Sequence, residues 1–179
     1  MADIQVRQAK TEDIPIIESI LFDTVSWLNA MAQPLWKAED VVWAALSKAH
    51  IIDDFYLAFI GGIPAGCMAV LDIDPFFWPD VAKGDSLFIH KLAVTKNARK
   101  TGAADALIGY AKELGRQREV SSIRLDCHGL RTKLRAFYEK HGFVCVEDKV
   151  CKDTYNVPEY YAAFYIYWMN RYPDNDTAD

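Results

Sequence analysis

Two apolar periods alternate along this chain, and their order restricts the folds that it can adopt. Seven segments have the two-residue alternation or continuous apolar character of strands, and four have the three- and four-residue spacing of a helix face. The order is β-α-α-β-β-β-α-β-α-β-β, which predicts a mixed α/β sheet with hairpins and parallel crossovers. The predicted strands are residues 4–9, 55–60, 63–73, 86–95, 122–127, 143–150 and 160–168, and the predicted helices are residues 14–28, 38–49, 102–118 and 130–140.

The length of 179 residues is enough for one domain with its own core. We expect a single domain over residues 1–172 and a disordered polar tail over residues 173–179. Apolar residues make up 51% and charged residues 25%, which excludes a disordered chain, a collagen-like repeat and a coiled-coil fibre.

The four cysteines have neither CxxC nor zinc-finger spacing, so we expect no disulfide framework and no metal site. Free cysteines are typical of a reducing compartment, and we predict a cytoplasmic protein. The N-terminal residues lack an apolar stretch behind a positive cluster, which argues against a signal peptide. Charges interrupt every apolar run before the ~18 residues that crossing a membrane requires.

The charges are unevenly distributed. The net charge of −5 argues against a general nucleic-acid binder. Residues 1–90 hold 5 Lys and Arg against 13 Asp and Glu, a balance of −8, whereas residues 91–152 hold 14 against 7, a balance of +7. The local basic surplus suggests a small polyanionic ligand, and chance clustering on solvated helix faces is the alternative.

The turn between the predicted strand 86–95 and the predicted helix 102–118 has the character of a phosphate site. The first N–H groups of a helix and its positive end attract anions. Gly102 and the alanines after it keep side-chain bulk away, while Arg99 and Lys100 add positive charge. The chain has neither a G-x-K-[ST] loop nor a GxGxxG motif, which argues against an NTP-hydrolysis site and a dinucleotide fold.

The pattern Arg99-x-x-Gly102-x-Ala104 resembles the pyrophosphate signature of the GNAT superfamily of acetyl-CoA-dependent N-acetyltransferases. The preceding segment, residues 89–94, is similar to the central strand of that family, and residues 134–143 resemble its FYEK-x-GF segment. With the order of elements, the resemblance covers about residues 3–170 and implies the GNAT acyl-CoA N-acyltransferase fold.

The resemblance implies that acetyl-CoA is the co-substrate. The main chain of Leu92, Ala93 and Val94 would pair with the pantetheine arm. Arg131 stands where the family often has an Asn that contacts the arm or an ordered water, and Arg131 would instead reach a phosphate of the cofactor or point to solvent. The N–H groups that would hold the pyrophosphate are those of Arg99, Lys100, Thr101, Gly102, Ala103 and Ala104.

Two residues are candidates for proton transfer. Tyr138 matches the general acid of the family, which would protonate the departing thiolate; simple packing beside Leu134 is the alternative. The two-residue period puts His90 on the side of Leu92 and Val94, so His90 is a candidate base for the acceptor amine. A satisfied core histidine is the alternative for His90.

The resemblance implies that the N-terminal helices and the loop over residues 74–80, which two prolines bracket, cover the acceptor end of the site. Such a loop does not easily bury adjacent aromatic residues, and the nearby carboxylates would bind a cationic acceptor or relay a proton. The predicted acceptor-binding residues are Asp72, Asp74, Phe77, Trp78 and Asp85.

We therefore expect an N-acetyltransferase that moves an acetyl group from acetyl-CoA to a primary amine of a small molecule, by direct attack in a ternary complex. The alternative is a non-catalytic acyl-CoA-binding module with a regulatory or interaction role. We expect no nucleic-acid or membrane partner and either a monomer or a homodimer. The acceptor, the acyl chain preference and the oligomeric state are left open.

Overall fold

A computed structural model of the protein describes residues 3–154 and 157–171. Its strands and helices follow the predicted order. The predicted tail at residues 173–179 lies outside the described residues, and the single domain over residues 1–172 stays a prediction. The elements are β1 (Ile4–Gln8), α1 (Ile14–Ala30), α2 (Trp43–Leu46), β2 (Phe55–Ile60), β3 (Ile63–Leu71), β4 (Ser86–Val94), α3 (Ala103–Gln117), β5 (Ser122–His128), α4 (Thr132–Lys140), β6 (Val144–Thr154) and β7 (Val157–Trp168).

The described strands form a seven-stranded sheet in the order β1-β2-β3-β4-β5-β7-β6. The pairs β1–β2, β2–β3, β5–β7 and β6–β7 are antiparallel, and β4–β5 is parallel. The parallel register runs from Ser86 and Ser122 to Phe88 and Arg124. This architecture confirms the predicted mixed α/β fold.

The described residues divide into two compact units, residues 3–70 with 90–110 and residues 71–89 with 111–154 and 157–171. In the first unit, one face of α1 is buried, as its apolar spacing predicts, and Phe55 and Leu57 of β2 are inaccessible to solvent. In the second unit, the core includes Phe88 and Tyr165. No described helix combines the length and apolar character that crossing a membrane requires.

The predicted helix over residues 38–49 is wrong in extent. A 3-10 turn covers Ala38–Asp40, Val42 is extended, and only Trp43–Leu46 form the α-helix α2. The backbone N–H of Trp43 donates to the Glu18 carboxylate of α1, with an N–O distance of 2.6 Å. Because this cap comes from another helix, the local apolar spacing does not indicate where α2 begins.

The aromatic strand β7 is buried within a single chain. It pairs with β5 on one side and β6 on the other, and residues 162–167 are all buried, whereas 40% of Tyr161 is exposed. The aromatic character of both faces therefore follows from an interior position in the sheet and requires no second copy of the chain.

Candidate functional site

Strand β4 changes character at its midpoint. Its first four residues are buried, whereas His90, Lys91, Leu92 and Val94 are partly exposed. Lys91 has a φ of +53°, a left-handed conformation that is rare for residues other than glycine, and its carbonyl accepts a weak bond from the Cys67 thiol at 3.8 Å. This irregularity interrupts the two-residue alternation between His90 and Leu92. The alternation therefore no longer indicates that His90 lies on the same side of β4 as Leu92 and Val94.

The loop between β4 and α3 has an irregular backbone. Residues Lys96–Ala98 form a 3-10 turn, Arg99 is extended, and Lys100 and Gly102 have φ values of +63° and +94°. The N–H and the hydroxyl of Thr101 both donate to the carbonyl of Ala98, at 3.3 and 2.6 Å. These internal bonds hold the loop in one shape before any ligand arrives.

The start of α3 presents donors that the protein does not use. Among the described residues, no acceptor meets the backbone N–H groups of Gly102, Ala103 and Ala104. They add to the partial positive charge at the start of a 15-residue helix. This geometry is that of an anion site, as the sequence predicts; Gly102 and Ala104 are partly exposed, whereas Ala103 is buried.

Helix α1 reaches this loop through two side chains. The guanidinium carbon of Arg99 lies 4.0 Å from the centroid of the Trp27 ring, and Arg99 Nη2 lies 3.8 Å from Asp23 Oδ2. The same Asp23 oxygen accepts the backbone N–H of Lys96 at 2.5 Å. The side chain of Arg99 is thus held against α1 beside the free N–H groups of α3.

A pair of imidazoles lies in the first unit. The ring centroids of His50 and His90 are 6.2 Å apart, and His50 also packs edge-on against Phe55. Burial, with His90 and Lys91 adding to it, lowers the pKa of His50 to about 4, so His50 is neutral at pH 7. Its buried Nδ1 has no hydrogen-bond partner among the described residues. No motif of the sequence includes His50, so the sequence alone gives no signal for it.

Tyr138 is buried in α4, with ring centroids 6.0 Å from those of Phe143 and Tyr165. Burial raises the pKa of Tyr138, and the neighbouring Cys127 and Asp126 shift it in the same direction, so the phenol holds its proton firmly.

Arg131 stands at the N-cap position of α4. Its side chain is partly withdrawn from solvent, and this burial is the main cause that lowers the pKa of Arg131.

The three predicted acceptor aspartates take part in structural contacts. The buried Asp74 accepts two backbone N–H groups from the residues that follow it, at 3.2 and 3.1 Å. The Asp72 carboxylate lies 3.7 Å from the ammonium of Lys83. The carbonyl of Asp85 accepts both the N–H and the hydroxyl of Ser121. No group of three His, Cys, Asp or Glu side chains within the described ranges is placed to hold a metal ion.

The aromatic loop over residues 74–80 is more buried than predicted. Phe77 is only 9% exposed and packs on Phe164 with a centroid distance of 5.8 Å, so the loop buries this aromatic residue despite its two prolines. Trp78 also packs on Phe164, at 5.3 Å, beneath the guanidinium of Arg124. Phe76, in the same loop, is 69% exposed.

The structure brings the predicted cofactor residues of β4 and the loop together in the first unit, with His90. Residues 92–94 and 99–104 follow one another there as a strand, a turn and a helix start. The second unit contains the other predicted site residues, Asp72, Asp74, Phe77, Trp78, Asp85, Arg131 and Tyr138.

Known proteins that are similar to this chain include the following three. An uncharacterized N-acetyltransferase of Bacillus subtilis (strain 168), YesJ, is 25% identical over 142 residues, which are 74% of this chain and 77% of that protein. A GNAT-family acetyltransferase of Listeria monocytogenes 4b F2365 has a TM-score of 0.70 at 21% identity, over 93% of this chain and 98% of that one.

The third is the N-acetylglutamate synthase of Neisseria gonorrhoeae, solved with coenzyme A and N-acetyl-glutamate. Its TM-score is 0.62 at 18% identity, over 94% of this chain. This chain spans 36% of the length of that synthase. At these identities the two solved structures show the shared fold.

The model of the acetyltransferase (GNAT) family matches residues 21–143, which is more than half of the chain. The matched part contains β4, the loop and α3, where the free N–H groups lie. The chain therefore belongs to the acetyltransferase (GNAT) family, and the protein is an acyltransferase.

Proposed function

We propose that this enzyme transfers the acetyl group of acetyl-CoA to a primary amine of a small molecule, by direct attack in a ternary complex. The observation that carries the proposal is the unpartnered N–H groups of Gly102, Ala103 and Ala104 at the start of α3. The Neisseria gonorrhoeae synthase, which shares the fold, was solved with coenzyme A, and this supports the choice of cofactor.

The proposed cofactor contacts lie mostly on the main chain. The N–H groups of residues 99–104 hold the diphosphate. The N–H of Thr101 already donates to the carbonyl of Ala98, so its hydrogen bond to the diphosphate is bifurcated. The backbone of residues 92–94 pairs with the pantetheine arm, because β4 continues beyond the register that it forms with β5. Arg131 is a further proposed contact of the cofactor.

The acceptor amine carries a proton at neutral pH and must lose it before attack. We propose that His90 accepts this proton. Its neighbour His50 is neutral at pH 7. Attack on the thioester carbonyl forms the amide bond and breaks the carbon–sulfur bond. The second proton that the nitrogen loses as the amide forms passes to the departing sulfur, so coenzyme A leaves as the thiol. Tyr138 donates a hydrogen bond to the sulfur while negative charge develops on it, and because burial disfavours a phenolate, Tyr138 keeps its own proton.

The acceptor side of the proposed site is less defined. Trp78 has a buried Nε1–H without a partner among the described residues, so it offers one donor to an acceptor. Asp72 and Asp85 stay proposed partners of a cationic amine, because Asp85 is exposed and Asp72 is partly exposed. The proposed role of Asp74 and Phe77 is indirect, because their contacts shape the loop over residues 74–80.

Replacing Tyr138 with phenylalanine should lower kcat about tenfold and leave the KM for acetyl-CoA within about twofold, since one hydrogen bond in the transition state is lost. Steady-state rates of thiol release measure this. Tyr167→Phe, which removes a hydroxyl from another buried tyrosine, should leave kcat unchanged. An unaltered kcat in the Tyr138 variant would show that its role is packing.

The proposal as a whole is tested by two measurements on the wild-type protein. Calorimetric titration with acetyl-CoA should show saturable binding. Thiol release should then depend on one or more members of a panel of polyamines, aminoglycosides, amino acids and short peptides. Binding without amine-dependent thiol release from any of them would favour the acyl-CoA-binding module, and absence of binding at millimolar acetyl-CoA would reject both readings.

A further inference from the structure

Arg99 differs from Arg7 and Arg135 in its hydrogen bonds. Arg7 donates to Gln8 and with both outer nitrogens to Asp13, and Arg135 is similarly engaged. Arg99 donates no hydrogen bond to any residue within 3–154 or 157–171. An arginine has five N–H donors, and such groups are normally satisfied when they are held against protein.

The guanidinium of Arg99 is nevertheless restrained. Only 23% of its side chain is exposed, and the Trp27 ring covers one face of the cation at 4.0 Å. A cation stacked on an indole is attracted to it without using any N–H donor. The stack therefore fixes the position of the arginine and leaves its donors available.

Asp23 restrains the same group from its edge. Its carboxylate lies 3.8 Å from Nη2, which is too long for a hydrogen bond, and that buried nitrogen has no other described partner. The carboxylate is itself held by the N–H of Lys96 at the start of the loop. Nη2 therefore faces α1. Nε and Nη1 have no described partner either, but they are not buried, so a ligand can reach them from solvent.

We propose that Trp27 and Asp23 are positioning residues that hold the Arg99 side chain as a pre-formed arm for a phosphate of the cofactor. This inference rests on the proposed function. Nε and Nη1 form one edge of the guanidinium, which matches two oxygens of a phosphate group. The arm lies in the same loop as the free N–H groups of α3, so the two sets of donors serve one polyanionic ligand.

A double-mutant cycle tests the coupling between Trp27 and Arg99, with calorimetric Kd for coenzyme A as the readout. We expect Arg99→Met to weaken binding about tenfold and Trp27→Leu about fivefold. Trp27→Phe keeps an aromatic face and should restore most of the affinity. If Trp27 acts through Arg99, adding Trp27→Leu to Arg99→Met should weaken binding no further. Additive losses would overturn the positioning role.

Dephospho-coenzyme A, which lacks the 3′-phosphate, identifies the phosphate that Arg99 meets. An equal loss of affinity for both ligands in Arg99→Met assigns the arm to the diphosphate, and a loss for coenzyme A alone assigns it to the 3′-phosphate. Either result supports the proposal. Affinities for both ligands within twofold of the wild type would overturn it.

The matched control is Arg116→Met on the same helix. Arg116 is half-exposed, pairs with Glu113 at 2.9 Å and lies in the last turn of α3, about 20 Å from its start. Removing this charge should leave the Kd within twofold, which separates a specific contact from a general loss of positive charge. Failure of the wild-type protein to bind coenzyme A would reject the proposed function, whereas normal binding by Arg99→Met would reject only this inference.

Discussion

Replacing Gly102 with valine is expected to raise the Kd for coenzyme A about 100-fold. Gly102 has a φ of +94°, a conformation that β-branched residues almost never adopt. The loop must rotate to relieve this strain, and the N–H groups of Gly102 and Ala103 then turn away from the phosphates. Two charge-assisted hydrogen bonds at about 1.5 kcal/mol each correspond to a loss of this size.

Gly62→Val is the matched control for this prediction. Gly62 lies in the turn between β2 and β3 of the same unit, has a φ of +81°, and has no atom near its missing side chain. Both variants should therefore lose similar stability in thermal melts, by about 1–2 kcal/mol. Only the Gly102 variant should lose affinity in the calorimeter. Equal affinities of the two variants would contradict a role of this loop in holding the cofactor.

The strands were largely predictable because local residues determine their limits. The hairpin between Phe55–Ile60 and Ile63–Leu71 follows from two apolar runs around Gly61 and Gly62, and the structure reproduces it within two residues. Helix α3 begins one residue after its predicted start for the same reason, since Gly102 stands directly before it. In these elements, spacing and turn residues point to the same structure.

Contacts between distant segments were not predictable. The start of α2 depends on Glu18, which lies 25 residues away. The burial of Phe77 depends on a partner in β7, Phe164, although its neighbouring prolines correctly predicted an irregular loop. Such contacts override local preferences, and a single sequence contains no signal for them.

The candidate site shows the same division. The free N–H groups at α3 were predictable, because a glycine followed by small residues at a helix start is typical of a site where the first N–H groups bind an anion. The left-handed Lys91 was not, since nothing in residues 89–94 indicates a break in the strand. The stack of Trp27 on Arg99 and the pairing of His50 with His90 also join residues more than 35 positions apart.

Gly66→Ala is expected to lower the free energy of unfolding by about 3 kcal/mol, although it adds one methyl group. A Cβ at this position in β3 would lie 2.7 Å from the carbonyl oxygen of Ala93 and 2.9 Å from the side chain of Val94. The backbone oxygen cannot move without displacing β4. Urea denaturation at pH 7.5 measures the loss, and the slope of the transition should stay unchanged.

Gly109→Ala tests whether the loss comes from the contact with β4 rather than from the substitution itself. Gly109 lies on the exposed side of α3, and a Cβ there would meet no atom within 4 Å. Alanine favours a helix over glycine by about 1 kcal/mol, so this variant should be more stable than the wild type. Because Ala93 and Val94 belong to the proposed pantetheine site, Gly66→Ala should also weaken coenzyme A binding, while Gly109→Ala should not. A Gly66 variant with wild-type stability and affinity would contradict both expectations. It would show that β4 can shift to accept the added methyl group, and a strand that shifts in this way would not hold the pantetheine arm in one register.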